Sequence, residues 1–224
     1  MTTSKPKVSV SNIHELGLLI ACILVLLIFS FTAPNFFTER NLLSILRSAS
    51  YVGLVAFPMT FVLISREIDI SVGPSVAYSG VLFACLIKWY GFSYPLAAVV
   101  VLFWGLFIGY IVGIVRTKLF VPTFITTLAL WSALRGLALW QTDGVPVMVG
   151  SKPFRYFFGG DILGLPTVSW IMLIVFVIFW FLSTYTVLGT NLYAVGGNPK
   201  AARSVGINVD RIKIYTLIAT SFFS

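Results

Sequence analysis

The run FSYPLAAVVVLFWGLFIGYIVGIV, residues 92–115, contains no charged side chain. A helix needs about 20 apolar residues to cross the hydrocarbon core of a bilayer, so this run reads as a membrane span. Gly105, Gly109 and Gly113 recur every four residues within it and place a flat stripe along one helix face. Another helix can approach such a stripe closely, because no side chain stands between the backbones. The stripe fits packing inside this chain; a dimer seam or a moving interface is the alternative.

The rest of the chain follows the same pattern. Hydrophobic residues make up 58% and charged residues 10% of the 224 residues. The mean hydropathy is +1.00, which places the chain with integral membrane proteins and the lipid bilayer as its surroundings. Further apolar runs cover residues 16–33, 41–64, 70–87, 122–140 and 162–186, and a seventh begins at Ile214. That last run has reached only Ser224, too short to span, so the chain is expected to be truncated at its C-terminus. The expected fold is an all-α polytopic membrane protein with six spans plus the start of a seventh. It forms a single, incomplete transmembrane domain over residues 1–224.

The net charge of +8 does not point to nucleic acid, since the cations form no clustered stripe with interleaved aromatics. Their sidedness explains them. With a cytoplasmic N-terminus, Lys5, Lys7, Arg66, Arg116, Lys118, Lys200, Arg203, Arg211 and Lys213 fall inside. Only Arg40, Lys88, Lys152 and Arg155 fall outside, as the positive-inside bias requires. Leu16–Ala33 is too long, and lacks the small-residue cleavage site, to be a removable leader. Cys22 and Cys85 lie inside apolar runs, and His14 is the only histidine. No spacing suits a metal or a Ser/His/Asp set, and no phosphate-cradling GxxxxGK[ST] occurs, so no cofactor is expected on this chain.

One long polar interval, Asn191 to Lys213, separates two apolar runs with the sequence NLYAVGGNPKAARSVGINVDRIK. Asn198 suits a helix cap, Pro199 the first helical position and Gly206 the stop. Between them Ala201 and Ala202 offer a small face, and Lys200 and Arg203 supply cations. Two turns are too few to persist alone. The interval is either a capped surface turn or a knob for another protein's groove.

Other polar features lie at the ends of spans. Arg66, Glu67 and Asp69 interrupt LISREIDISVGPSVAYSG, followed by Ser71, Gly73 and Pro74 at helix-starting positions. This is either a capped cytoplasmic turn or an unwound stretch lining a path, with Asp69 and Ser71 as its candidates. Arg47 and Arg135 lie just inside the outer ends of their spans, where they either snorkel or face a polar cavity. Phe124, Trp131 and Trp140 fit an aromatic belt or a cover for a sugar ring. Residues 141–160 form the longest outer loop, a plain connection or a partner surface.

Three stretches together resemble the permease subunits of ribose-type ABC importers of monosaccharides. REIDISVGPSVAYSG is similar to that family's GGIDLSVGS segment, with Arg66 and Glu67 where the family carries Gly-Gly. VPTFITTLALWSALRGLALWQTDGVPV resembles VPAFIVTLG...ARGLA...TDGRPV, and YAVGGNPKAARSVGINVDRIK resembles AxGGNxxAAxxxGIxVxxxK. The resemblance covers approximately residues 35–224. It implies a permease of a bacterial inner membrane that is not itself an enzyme. The partners implied are a second permease subunit, an extracytoplasmic sugar-binding protein and a cytoplasmic ATPase carrying the ATP and Mg. It also implies that 191–213 is the coupling loop, with Asn198, Pro199, Ala201, Ala202, Arg203 and Gly206 at the ATPase. Candidate pathway residues are Asp69, Ser71, Phe124, Trp131 and Arg135. An ion-gradient-driven secondary transporter and a non-transporting membrane scaffold are the rival readings.

Overall fold

The computed structural model describes residues 10–150 and 159–224, with side chains from residue 16 onward. Lys5, Lys7, the His14 side chain, Lys152, Pro153 and Arg155 lie outside the described residues. The chain divides into two compact units, Met1–Leu46 and Arg47–Ser224. In the first, α1 (Val10–Thr32) ends before Pro34, and a turn follows with Asn35 at a φ of 63°. The Asn41 amide closes that turn by donating to the Phe36 carbonyl at 2.8 Å. Helix α2 (Glu39–Ile64) starts here and runs on into the second unit.

The second unit continues with α3 (Val72–Lys88), α4 (Tyr94–Lys118) and α5 (Thr123–Thr142). A two-residue antiparallel ribbon follows, β1 (Asp161–Ile162) with β2 (Leu165–Pro166). Then come α6 (Thr167–Tyr185), α7 (Val187–Gly197), α8 (Pro199–Ser204) and α9 (Val209–Phe222). Helices α2, α4, α5 and α6 are long and apolar enough to cross a membrane; the apolar stretches Leu16–Thr32 and Val72–Lys88 are shorter. The chain is a helical, multi-pass membrane protein.

The sixth apolar run starts its helix later than the sequence suggests. Leu163 and Gly164 have φ of 54° and 78°, so both central residues of the ribbon's turn are left-handed. That geometry matches the twist of a tight hairpin and takes residues 162–166 out of the helix. Thr167 fastens the junction, its amide and hydroxyl donating to the Gly160 carbonyl at 3.1 and 3.0 Å.

Lipid tails are as apolar as leucine, so helices in a bilayer are held by close packing and polar contacts more than by water exclusion. Two buried clusters supply the packing. Phe61 of α2 meets Phe179 of α6 edge-on at 4.9 Å, together with Leu192, Val195, Ala202, Val209 and Ile212. The next residue, Val62, joins Ile108 and Val112 of α4 and Leu217 of α9. One end of α2 therefore touches both clusters.

The most extensive helix pair among the described residues is α4 with α9, and the glycine stripe faces it. A Cβ on Gly105 would lie 2.5 Å from the Ser221 carbonyl oxygen, and one on Gly109 2.6 Å from the Ile218 Cα. On Gly113 it would meet Ile214 Cγ1 at 3.0 Å. The neighbours at the first two positions are backbone and cannot swing away. Gly109→Ala is expected to lower stability by about 1–3 kcal/mol through overpacking. Gly136, with open space around it, is the control. Gly136→Ala should stay within about 1 kcal/mol of the parent in unfolding followed in detergent micelles. Equal stability of the two variants would contradict the close approach.

Candidate functional site

The α2–α3 link builds the first site. At the end of α2, the Glu67 amide donates to the Val62 carbonyl at 3.1 Å and the Arg66 amide to the Leu63 carbonyl at 3.0 Å. This pair of bonds closes a helix with a left-handed residue, and Arg66 occupies that position at a φ of 61°. Glycine would be unstrained there, whereas a side chain costs about 1–2 kcal/mol. The turn sends the neighbouring side chains in different directions. Arg66 reaches outward, its Nη2 donating to the Gly197 carbonyl at the end of α7 at 2.8 Å. Glu67 turns inward and is 5% exposed.

Three elements converge on the Glu67 carboxylate. Arg116 Nε, near the end of α4, donates to Oε1 and Oε2 at 2.8 and 2.9 Å. Thr123 Oγ1, the first residue of α5, donates to Oε2, and Lys213 Nζ of α9 donates to Oε1. Burial pushes the Glu67 carboxyl up. The bonds from Lys213 and Thr123, the Lys213 charge and the Arg116 bond outweigh it and hold the group below the usual glutamate range. The charges at this boundary are not simply wet, as a capped surface turn would leave them. Sequence reading counted Arg116 and Lys213 only as members of a charge bias. Their distances from Glu67 along the chain, 49 and 146 residues, left no local signal of the pairing.

Asp69 and Ser71 sit beside this node. Asp69 Oδ1 accepts from the Ser71 amide and hydroxyl at 2.9 and 2.7 Å, and both residues are buried. Burial raises the Asp69 carboxyl, and the two Ser71 bonds offset that only in part. The Ile70 amide donates to Thr127 Oγ1 at 3.3 Å, which fastens the link to α5. Phe124, Trp131 and Arg135 instead lie on the exposed face of α5, with the Arg135 guanidinium 5.7 Å from the Trp131 ring centroid. The structure does not bring the five candidate pathway residues onto one surface. Asp69 and Ser71 are bonded to one another in the link just before α3, while the α5 residues point away from the buried line Thr123, Thr127, Leu134 and Ala138.

The second site is the α8 loop. Asn198 Oδ1 accepts from the Lys200 and Ala201 amides at 3.0 and 3.2 Å, and Pro199 opens the helix. Gly206, at a φ of 86°, ends it, with the Ile207 amide returning to the Ala202 carbonyl at 3.0 Å. Arg203 Nη2 pairs with Asp210 Oδ1 of α9 at 2.7 Å. Ala202 requires a correction. It is 4% exposed and packs into this chain's own cluster with Val209 and Ile212, so it does not belong to an outward small face. Lys200, Ala201, Arg203, Ser204 and Val205 are exposed, the last at 76%.

Toward the other end of α2, Arg47 Nη2 pairs with Asp161 of the ribbon at 2.8 Å, and Ser50 shares a buried hydrogen bond with Ser169 at 2.8 Å. Arg47 is thus bonded within the protein rather than merely snorkelling. Among the described residues, no group of three His, Cys, Asp or Glu side chains could hold a metal ion.

The Glu67 node yields a pH prediction. A carboxyl depressed in the folded state contributes stability that is fully present above its unfolded value and lost as pH falls through the folded value. Glu67→Gln leaves Lys213 buried without its anion and should cost about 3–5 kcal/mol at neutral pH. Unfolding of parent and variant in micelles across a pH series should show that gap closing on acidification. A gap independent of pH would contradict the assignment.

A family model described as "Branched-chain amino acid transport system / permease component" matches residues 41–224. The chain is 42% identical over 205 residues to the probable ABC transporter permease protein YphD of Escherichia coli (strain K12), covering 91% of this chain and 61% of that protein. It is 37% identical over 211 residues to the ribose import permease protein RbsC of Haemophilus influenzae, covering 92% and 64%. With the L-arabinose ABC transporter permease protein AraH of Azospirillum brasilense it shares 35% over 210 residues, covering 92% and 60%. The chain spans about three-fifths of the length of these relatives. No solved structure matches it.

Proposed function

Because the chain belongs to the branched-chain amino acid transport system / permease component family, we propose that it is the membrane-spanning permease part of an ABC importer for a monosaccharide or a related small polyol. The family description names amino acids, but the relatives above carry ribose and L-arabinose in their names, which favours a carbohydrate. In this reading the protein lies in a bacterial inner membrane with its N-terminus cytoplasmic. It has six spans plus the start of a seventh and works beside a second permease subunit, identical or not. An extracytoplasmic binding protein delivers the sugar, and a separate cytoplasmic ATPase binds ATP and Mg. The chain supplies the path and the coupling joint and catalyses no reaction of its own.

The observation that carries this reading is the α8 loop. A six-residue helix is capped at both ends, anchored on one side by Ala202, and presents Lys200, Ala201, Arg203 and Val205 outward. Such a rigid projection, cationic with an apolar tip, suits a cleft with acidic groups on its rim. The exposed α5 face with Phe124, Trp131 and Arg135 is the part of the proposed path that this chain would contribute. An aromatic face and a guanidinium can meet the two faces of a sugar, its apolar ring surface and its hydroxyls. The ion-gradient reading gains no support from Glu67 or Asp69, since both carboxylates are engaged inside the protein.

The test places a single cysteine at Val205 of the full-length permease, with Cys22 and Cys85 replaced, and a second cysteine in the cleft of the candidate ATPase. A disulfide that responds to nucleotide is expected, together with pentose uptake that survives an uncoupler and stops on ATP depletion. No crosslink between two folded, co-resident proteins, or uptake abolished by the uncoupler, would overturn the reading.

A further inference from the structure

The α8 loop is held at both ends by two consecutive residues. On its leading side, Arg66 donates to the carbonyl of Gly197, the residue immediately before the Asn198 cap, at 2.8 Å. Gly196 abuts the Ile64 carbonyl so closely that any Cβ there would collide with it. On its trailing side, Lys213 donates to Glu67 from the second turn of α9. The segment between is stiff. Arg203 is clipped to Asp210 at 2.7 Å, Asn208 Oδ1 caps α9 by accepting from the Arg211 amide at 3.0 Å, and Ala202 packs on Val209 and Ile212. Glu67 in turn holds Arg116 at the end of α4 and Thr123 at the start of α5, and it lies two residues before Asp69, which bonds Ser71, the residue preceding α3.

We infer that Arg66 and Glu67 are positioning residues that clamp the coupling loop to the ends of α3, α4 and α5, so that a push on α8 moves those helices as one body. The inference rests on the transport reading above and adds to it the residues through which the loop acts. Stability alone does not account for the arrangement. A buried ion pair roughly breaks even against apolar side chains of the same volume, and what it adds is a fixed geometry. Arg66 moreover occupies a left-handed position that glycine would fill without strain. The chain accepts that cost at a residue whose side chain reaches the Gly197 carbonyl. The trailing bond binds α9 to the same link, so α8 cannot shift without carrying the link with it.

The experiment uses the complete permease with its ATPase and binding protein in proteoliposomes, with sugar uptake and ATP hydrolysis measured together and the Val205 crosslink reporting assembly. Arg66→Gly relieves backbone strain while removing the leading bond. Lys213→Met removes the trailing one and leaves Glu67 paired with Arg116. The double variant should still crosslink and hydrolyse ATP, while sugar transported per ATP falls at least about fivefold. Arg66→Gly alone should lower the ratio without lowering the unfolding midpoint, and Lys213→Arg should keep the parent ratio. A purely structural role would reduce assembly, hydrolysis and uptake together and leave the ratio unchanged. An unchanged ratio in a crosslinked double variant overturns the clamp. If the double variant does not assemble, the Arg66→Gly ratio decides, and a parent-like value there overturns it. Loss of the crosslink in the parent complex overturns instead the transport reading on which the clamp depends.

Discussion

A single buried carboxylate sets the arrangement at one end of the helix bundle. Glu67 sits where α2 has ended and α3 has not begun, and its two oxygens accept from α4, α5 and α9. An ionised carboxylate has about four acceptor sites and tolerates burial only when they are filled. Each of the three elements fills part of that requirement, so their positions are set by the one carboxylate. The Schellman turn at Arg66 makes this possible by pointing Glu67 inward over Val62 instead of letting α2 run on. The strain at Arg66 is the local cost of that direction.

The glycine stripe of α4 is the counterpart of this polar node. Arg116 can meet Lys213 across Glu67 only because α4 and α9 lie backbone against backbone along Gly105, Gly109 and Gly113. Apolar side chains at those positions would separate the helices and with them the two cations. Close packing and electrostatics therefore support one another, as helix association in a bilayer requires. The loop carrying α8 inherits its orientation from the same arrangement, since α9 starts at its far end and Ala202 is pressed into the cluster beneath.

Much of the fold was legible in the sequence because it depends on local rules. The apolar runs located six of the helices within a few residues, and Asn198, Pro199 and Gly206 marked α8 with their own chemistry. Leu163 and Gly164 show where local reading fell short: an apolar run looked continuous with α6, yet two left-handed residues fold it into a ribbon. The site was less legible. Ala202 and Ala201 are indistinguishable by type, and only the packing of α7 and α9 decides that one is buried and the other exposed. Glu67 was visible as a charge at a span boundary, but its partners come from helices remote in sequence, and no periodicity within one segment encodes such a meeting.

The central claim, that the Glu67–Lys213 contact is a real and specific restraint on this bundle, is tested most directly by a double-mutant cycle. Glu67→Gln, Lys213→Met and the double variant of the full-length protein would be unfolded reversibly in mixed micelles. The account predicts that the double variant is more stable than the sum of the single losses implies, by at least about 1 kcal/mol, because Glu67→Gln strands the buried Lys213 and Lys213→Met removes the group so stranded. Losses that add to within about 0.5 kcal/mol would show that the two side chains do not depend on one another, and would contradict the account.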